Sequence, residues 1–377
     1  MRLADLPTPA AIVDRARIRT NCDRMLKRVR RLHTRLRPHM KTMKSIGAAR
    51  LALDPEHGGI TVASLREAEY FAAHGIRDIF YALCVTPDKL KRAADVARRS
   101  PDFSLLIDDA SMVPELRACA VAQGVRFHVW LEVDCGEHRT GVSPNGPALI
   151  DIAHQIAASP SLRLRGIATH AGHSYACRDG ASLLSVAQHE REVAIECANQ
   201  LREAGVDCPE VSVGSTPTAV AFDSANGLTE VRAGVYMAGD LFQAAIGSCS
   251  QRDLAFSVVA SVLSRQPDTG RLLIDAGGLA LSKDRSTALT NDDADFGRVV
   301  DIRGEPSFGN LGVTTVHQEH GQVGPAADVP FSRLQIGTRV RVQPNHVCMT
   351  AAMYQDLFVV EGSGDEIVDV WDRANGW

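Results

Sequence analysis

The alternation of short β-branched segments with longer helical stretches constrains the fold of this chain most strongly. Segments with the composition of strands, each followed by a helical pattern, lie at residues 11–13, 34–39, 60–63, 78–83, 104–108, 127–134, 164–170 and 210–213. About eight such units within some 230 residues predict a (β/α)8 TIM-like barrel, an α/β fold. A doubly wound open sheet is the alternative.

After about residue 250 the pattern changes. Strand-like segments at 257–263, 271–275, 339–343 and 357–360 follow one another without intervening helices. Successive strands without helices between them predict a C-terminal antiparallel β domain. We therefore expect a barrel over residues 8–245 and a β domain over residues 246–377, which residues 1–7 could join. A length of 377 residues suits two domains.

Composition excludes several classes of protein. The net charge of −4 offers no basic surface for nucleic acid. No apolar run approaches the roughly 20 residues that span a bilayer, and no apolar signal segment follows the first residues. The nine scattered cysteines do not resemble a disulfide framework. We expect a cytoplasmic protein with no nucleic-acid or membrane partner.

A lysine follows the second predicted strand. His39 and Lys41 are two residues apart and share a face while the chain stays extended. Lys41 would then point into the barrel mouth, where this fold carries its chemistry, and could act as imine former and base. Lys44 is expected to begin the next helix and to face solvent. A surface loop is the alternative for this segment.

A turn with the residues of a phosphate cradle follows the strand at 210–213. Gly214 permits close approach of the backbone, Thr216 suits a helix N-cap and Pro217 suits the first helical position. The exposed N–H groups of such a terminus attract anions. Gly234, after a neighbouring strand, is a second candidate. An ordinary capped turn is the alternative.

His346 and Cys348 form a candidate metal pair. If residues 344–348 are a strand, both side chains point to one face. Imidazole and thiolate favour zinc over magnesium or calcium, and two protein ligands leave positions open for substrate. Packing in an apolar strand is the alternative. His320 is a further candidate near this pair, whereas we expect Cys84, Cys135 and Cys249 to be packing residues.

The assembled motifs resemble one known family, that of D-serine dehydratase and D-threonine aldolase. The motifs are Thr8-Pro9-Ala10, Arg37-Pro38-His39-Met40-Lys41-Thr42, Gly214-Ser215-Thr216-Pro217-Thr218, Gln318-Glu319-His320-Gly321 and Pro344-Asn345-His346-Val347-Cys348. The resemblance covers essentially the whole chain. It implies a fold-type III pyridoxal 5'-phosphate (PLP) enzyme with an alanine-racemase-like barrel, and a homodimer.

The resemblance also implies roles for single residues. Lys41 would be the Schiff-base lysine, and His346 and Cys348 would be the metal ligands. His170 would lie against the cofactor ring with Tyr175 nearby, and Arg139 would approach the phenolic oxygen of the cofactor or the substrate. Contacts to the cofactor phosphate are implied for Gly214, Ser215, Thr216, Gly234 and Tyr236.

Three departures from the family pattern bear on the reaction. D-threonine aldolases carry an aspartate at the position of Cys348 and a glycine-rich turn at Gly214, so both differences favour a dehydratase. Met43 replaces the histidine that usually precedes the second lysine, which removes a proton relay at this position.

We therefore expect PLP- and metal-dependent β-elimination from a D-3-hydroxy amino acid, giving a 2-oxo acid and ammonia. D-serine, D-threonine and D-threo-3-hydroxyaspartate are the candidate substrates, and Zn²⁺ is the expected metal, with Mg²⁺ or Mn²⁺ as alternatives. A second carboxylate would bind Arg139, Arg178 or Arg285. The alternative reaction is a retro-aldol cleavage to glycine and an aldehyde. A racemase or a PLP carrier would need no metal.

Overall fold

The computed structural model describes residues 1–377 and contains seventeen strands and eleven α-helices. The strands are β1 Ala10–Asp14, β2 Arg35–Pro38, β3 Ile60–Val62, β4 Ile79–Cys84, β5 Ser104–Ile107, β6 Phe127–Glu132, β7 Leu162–Ala168, β8 Glu210–Val213, β9 Glu230–Ala233, β10 Phe256–Gln266, β11 Arg271–Ile274, β12 Gly297–Val300, β13 Gly312–Val316, β14 Gly321–Gly324, β15 Arg339–Pro344, β16 Asp356–Val360 and β17 Asp369–Asp372. The helices are α1 Arg15–Arg31, α2 Ile46–Ala52, α3 Leu65–Ala73, α4 Leu90–Arg99, α5 Met112–Gln123, α6 Ala148–Ala157, α7 Gly180–Glu203, α8 Thr216–Ala221, α9 Leu241–Ala245, α10 Gly278–Leu281 and α11 Val347–Ala351.

The chain divides into two compact units. One, called here the barrel unit, comprises Arg24–Gly234 and Ala374–Trp377. The other, called the sheet unit, comprises Met1–Asp23 and Val235–Arg373.

The barrel unit is built on eight parallel strands in the order β2-β9-β8-β7-β6-β5-β4-β3. A bridge between His39 and Thr61 joins the two end strands, with the N–H of Met40 donating to the Thr61 carbonyl at 2.8 Å. The sheet is thus a closed barrel, and the predicted fold is confirmed.

The membership of the barrel differs from the prediction by one strand. The segment at 11–13 lies in β1, which pairs with β10 and β16 of the sheet unit, and the eighth barrel strand is β9. All five residues of β1 are buried, so its composition is the same whichever sheet it joins. The barrel unit therefore starts at Arg24 rather than at residue 8, and its main segment ends at Gly234 rather than at residue 245.

The sheet unit contains a nine-stranded sheet in the order β11-β14-β13-β12-β15-β10-β1-β16-β17. Its pairings are antiparallel except between β1 and β16. Residues 1–7 belong to this unit, as the prediction allowed, and so do residues 8–23.

Aromatic side chains fill the barrel interior. Phe80 stacks on Trp130 with ring centroids 5.0 Å apart, and both pack with Leu106 and Ala168. The indole N–H of Trp130 donates to Ser104 at 3.0 Å, so the buried ring leaves no orphaned donor. The interior is a packed core, and chemistry is confined to the mouth.

Arginine and carboxylate side chains alternate at the opposite end, where the strands begin; we call this group the floor network. Arg37 donates to Glu230 at 2.8 Å and to both oxygens of Asp78 at 2.9 Å. Glu210 accepts from Arg165 and Arg35 at 2.7 and 2.8 Å. Sequence analysis did not identify this network.

All nine cysteines are free thiols. No helix combines the length and the apolar character that crossing a bilayer requires.

Candidate active site

Lys41 lies beyond the end of β2 in an exposed turn at the barrel mouth. Its positive charge adds to the effect of burial in lowering the pKa values of His39 and His170, so the ammonium lies close to both rings. The structure therefore brings Lys41 and His170 together from β2 and the end of β7.

Lys44 was expected to begin a helix and to face solvent, and this prediction is wrong. The residue precedes the helix in a left-handed conformation with φ of 49°, and Ser45 is the N-cap of α2. The Nζ atom of Lys44 pairs at 3.2 Å with the fully buried carboxylate of Glu67. A buried anion needs a cation, and only the second lysine of the motif supplies it.

The ring of His170 is held as a neutral imidazole. Burial, with a further contribution from Lys41, lowers its pKa to about 3. Nδ1 lies 2.8 Å from the carbonyl oxygen of Gly214, which can only accept, so Nδ1 carries the proton and Nε2 is unprotonated. A neutral flat ring fixed in this way fits the face of an aromatic cofactor.

The turn after β8 has the predicted shape, with the cap one residue earlier than expected. Ser215, rather than Thr216, is the N-cap of α8, and its hydroxyl accepts from the N–H of Thr218 at 3.2 Å. Gly214 has φ of 133°, and a Cβ there would lie 2.2 Å from the carbonyl oxygen of Arg232. Only glycine fits this close approach. Gly234 is similarly confined, since a Cβ would lie 2.5 Å from the His39 carbonyl oxygen.

Glu190 of α7 ties the loops after β7 and β8 together, and sequence analysis missed it. Its Oε1 atom accepts from the N–H groups of Ala171 and Gly214, at 2.9 and 3.0 Å. Burial raises its pKa. The N–H of Ser215 is also engaged, by the Thr218 hydroxyl at 3.0 Å. Two N–H groups expected to attract phosphate thus organise the loop itself.

Arg139 and Tyr175 lie on the loops around this mouth. Arg139, in the loop after β6, is exposed and pairs with Glu137 at 3.3 Å. Its charge also lowers the pKa of His170, after burial and Lys41. Tyr175 lies in the 3-10 turn Gly172–Ala176, and its carbonyl accepts from Arg178 at 2.8 Å. Both residues thus follow barrel strands, β6 and β7, and their expected contacts with a cofactor stay a prediction.

Tyr236 belongs to the sheet unit. It is buried in the 3-10 turn Val235–Met237, where its hydroxyl lies against the thiol of Cys22. Burial raises the pKa of the Tyr236 phenol and, with Asp23, raises that of Cys22 to about 12. Tyr236 is therefore a neutral hydrogen-bonding group.

His346 and Cys348 are brought together, although not along a strand as predicted. Strand β15 ends at Pro344, His346 precedes α11, and Cys348 is the second residue of that helix. Burial opposes the charged imidazole, but hydrogen bonds from His346 to Asp284 and Cys348 raise its pKa to about 10. A metal bound here would displace that proton.

Asp284 holds the other side of this histidine. Its Oδ2 atom lies 2.7 Å from Nδ1 of His346, so a metal bound here would have to be held by Nε2. A carboxylate on the second ring nitrogen is the usual support of a metal-binding histidine. The fully buried Asp240 fixes the same segment by accepting the N–H of Val347 at 3.0 Å. The donor set therefore fits a metal.

His320 lies in the exposed turn between β13 and β14. The turn packs on the start of α10, because a Cβ at Gly277 would lie 2.5 Å from the N atom of His320. The structure thus places His320 on the surface of the sheet unit.

Cys84 packs against the core of the barrel, as predicted, and it also makes a polar contact that the prediction did not include. Its Sγ atom donates to Glu132 at 3.3 Å, and with Asp108 the three ligand atoms lie within 4.8 Å of one another. Burial and the two carboxylates raise the pKa of the thiol strongly. A thiol that keeps its proton is a poor metal ligand. We therefore assign the three side chains to a hydrogen-bonded wall of the barrel mouth.

Comparison with known proteins shows the family to which this chain belongs. Residues 13–241 match the alanine racemase N-terminal domain, and residues 255–360 match a serine dehydratase domain. D-threo-3-hydroxyaspartate dehydratase from Delftia sp. (strain HT23) is 40% identical over 100% of this chain and 99% of its own length. The chain belongs to the D-serine dehydratase family. It is a PLP-dependent lyase.

Other members of the family show its range. D-serine dehydratase from Dictyostelium discoideum is 29% identical over 99% of this chain and 98% of its own length. D-threonine aldolase from Arthrobacter sp. is 31% identical, over 98% and 93%. A solved structure of D-threo-3-hydroxyaspartate dehydratase, a cysteine-to-alanine mutant in the metal-free form, is 39% identical over 100% of both chains, with a TM-score of 0.95. Another mutant structure of that enzyme replaces a histidine two positions before this cysteine.

Proposed function

We propose that this chain removes water from a D-configured 3-hydroxy amino acid, with release of ammonia and a 2-oxo acid, using PLP and a divalent metal. The observation that carries the proposal is the support of His346 by Asp284 beside Cys348. The mutant structures of D-threo-3-hydroxyaspartate dehydratase replace a histidine and a cysteine at the same spacing, and the structure of the cysteine mutant is of a metal-free form. Imidazole plus thiolate favours Zn²⁺, with Mg²⁺ or Mn²⁺ as the weaker choices.

The barrel unit would hold the cofactor. The ring of bound PLP withdraws electrons and so would make the α-proton of the substrate more acidic. Lys41 would bind the cofactor aldehyde and, when displaced by the substrate amine, accept the α-proton at Nζ. His170 would support the cofactor ring as a neutral imidazole. Because its pKa is about 3, it would not compete with Lys41 for the α-proton of the substrate. Gly214, Ser215, Thr216, Gly234 and Tyr236 would bind the phosphate.

The metal pair would act on the leaving group. Hydroxide leaves poorly, and a metal held by His346 and Cys348 would stabilise it as a Lewis acid. Asp284 would keep Nε2 of His346 directed at the metal. Retro-aldol cleavage uses similar parts but needs a base for the β-hydroxyl. The aspartate that D-threonine aldolases carry is replaced here by Cys348, which favours dehydration.

The substrate remains one of three candidates: D-serine, D-threonine or D-threo-3-hydroxyaspartate. Arg285 is a poor receptor for a second carboxylate, because Asp293 and Asp295 already pair with it at 2.5 and 2.9 Å. We therefore propose Arg139 or Arg178 for that role. We also propose a homodimer and a cytoplasmic location, the latter supported by nine cysteines without a disulfide.

Replacing the metal ligand tests the proposal. His346→Ala should keep PLP attached to Lys41, lose bound zinc and release no ammonia from the three D-amino acids. Asp284→Asn should weaken metal affinity by roughly 10- to 100-fold, measured by chelator competition. His154→Ala, on the exposed face of α6, is the matched control. Ammonia release by His346→Ala at the wild-type rate would exclude the metal role.

A further inference from the structure

Arg341 of β15 is a buried cation whose hydrogen bonds are incomplete. Its side chain lies in the sheet unit and the residue is only 5% exposed. Nε and Nη2 are buried and have no hydrogen-bond partner. Arginine is always charged in proteins, and a buried charge without a partner is costly. Asp14 and Asp301 act on this cation through their charges, but no acceptor atom reaches Nε or Nη2.

A small cavity adjoins this guanidinium. It has a volume of about 10 Å³, and Arg341, Arg17, Arg303, Gly304 and the acidic residue Asp14 are among the residues that line it. A Cβ added at Gly304 would lie 3.4 Å from Nη1 of Arg341, so glycine keeps this wall open. The space suits a small particle such as a water molecule or a monatomic ion.

The charges around the cavity leave one positive charge in excess. Arg17 pairs with Asp14 at 3.2 Å, and Asp14 also accepts the N–H of Gly362. Asp301 accepts the N–H groups of Arg303 and Glu305, at 2.9 and 3.0 Å. Three guanidinium groups thus face two carboxylates that already have partners.

We propose that this cavity binds one small inorganic monoanion of the chloride class. The anion accepts hydrogen bonds from Nε and Nη2 of Arg341, and Arg17 and Arg303 complete the positive surround. Water is neutral and satisfies the donors without balancing the charge. Since β15 leads directly to Asn345 and His346, the anion also steadies the strand that carries the metal ligand.

The first test locates the ion. Crystals of the PLP- and zinc-loaded enzyme are soaked in millimolar bromide, and anomalous diffraction is measured. We expect a bromide peak within hydrogen-bonding distance of Nε and Nη2 of Arg341. A water at this position in bromide, or a peak that appears only at molar bromide (an adventitious ion only), would overturn the proposal.

The second test measures binding in solution. Replacing methanesulfonate by chloride at constant ionic strength should raise the Tm of the loaded enzyme by roughly 2 °C or more. Arg341→Met should lose this rise and, without chloride, be no less stable than the wild type, because it removes an unpaired buried cation. Arg271→Met, which removes an exposed charge from β11, should keep the rise. An equal rise in Arg341→Met would contradict the site.

Discussion

At the residue scale, two lysines three positions apart have different surroundings. Lys41 is exposed near the rings of His39 and His170, whereas Lys44 neutralises the buried Glu67. Their positions in the sequence motif do not distinguish them. Their partners do, and the partners come from other strands and helices.

Substituting the two lysines separates cofactor attachment from stability. Lys41→Ala should give no covalent PLP adduct after borohydride reduction, and should change the free energy of unfolding by less than about 0.5 kcal/mol. Lys44→Met should keep the adduct on Lys41 and lose about 1–3 kcal/mol, because Glu67 loses its cation. Mass spectrometry and denaturant unfolding check both. An adduct on Lys44 would contradict the assignment.

Residue-level prediction from the sequence named a candidate metal pair but not the side chains that hold it in place. The spacing of His346 and Cys348 identified the pair even though the predicted strand is a short helix, since a two-residue spacing also brings an N-cap and the second helical residue together. Asp284, 62 positions earlier, carries no local signal of its contact with His346. The same holds for Glu190, which reads as one more charged residue of α7.

At the element scale, the loops after β7 and β8 act as one structure because α7 joins them. The carboxylate of Glu190 accepts N–H groups from both loops, one of them next to His170 and the other at Gly214. A change in this single side chain should therefore shift His170 and the turn at Gly214 together.

Replacing Glu190 tests this coupling. Glu190→Ala leaves two buried N–H groups without acceptors, each costing about 1–3 kcal/mol. PLP affinity should therefore fall roughly tenfold or more, measured by quenching of tryptophan fluorescence. Glu190→Gln keeps an oxygen in the same place and should bind PLP within about threefold of the wild type. Equal PLP affinity in all three proteins would show that Glu190 does not position the loops.

The floor network makes the barrel strands sensitive to acid. Burial opposes the ionisation of Asp78 and Glu230, but the charge of Arg37 and the hydrogen bonds to it outweigh burial. The pKa of Asp78 is therefore lowered from its ordinary 3.8, and that of Glu230 from its ordinary 4.5. A carboxyl whose pKa is lowered by folding stabilises the protein above its unfolded pKa. This contribution should be lost as the pH falls below about 4.

Removing Arg37 tests this contribution. Arg37→Met should destabilise the protein by about 3 kcal/mol at pH 7, because Glu230 is left buried without a cation. The difference from the wild type should shrink as the pH falls below about 4, because protonation removes the carboxylate charges that Arg37 balances. Urea unfolding at several pH values measures it, with Arg98→Met on the surface of α4 as control. A difference that does not vary with pH would refute the electrostatic account.

At the scale of the whole molecule, the order of elements was predictable and the assignment of single strands to sheets was not. The alternation of strands and helices predicts eight parallel strands because each crossover needs a helix. A buried strand has the same apolar composition in either sheet, which is why β1 was placed in the barrel. Partners far apart in sequence, such as Arg37 and Glu230, leave no periodic signal.

The central claim is that the chain dehydrates a D-3-hydroxy amino acid. Its most direct test is product analysis of the purified, PLP- and zinc-loaded enzyme with D-serine, D-threonine and D-threo-3-hydroxyaspartate. We predict equimolar 2-oxo acid and ammonia from at least one of them, and no products after removal of the metal. Glycine and an aldehyde would contradict this account and identify the chain as an aldolase.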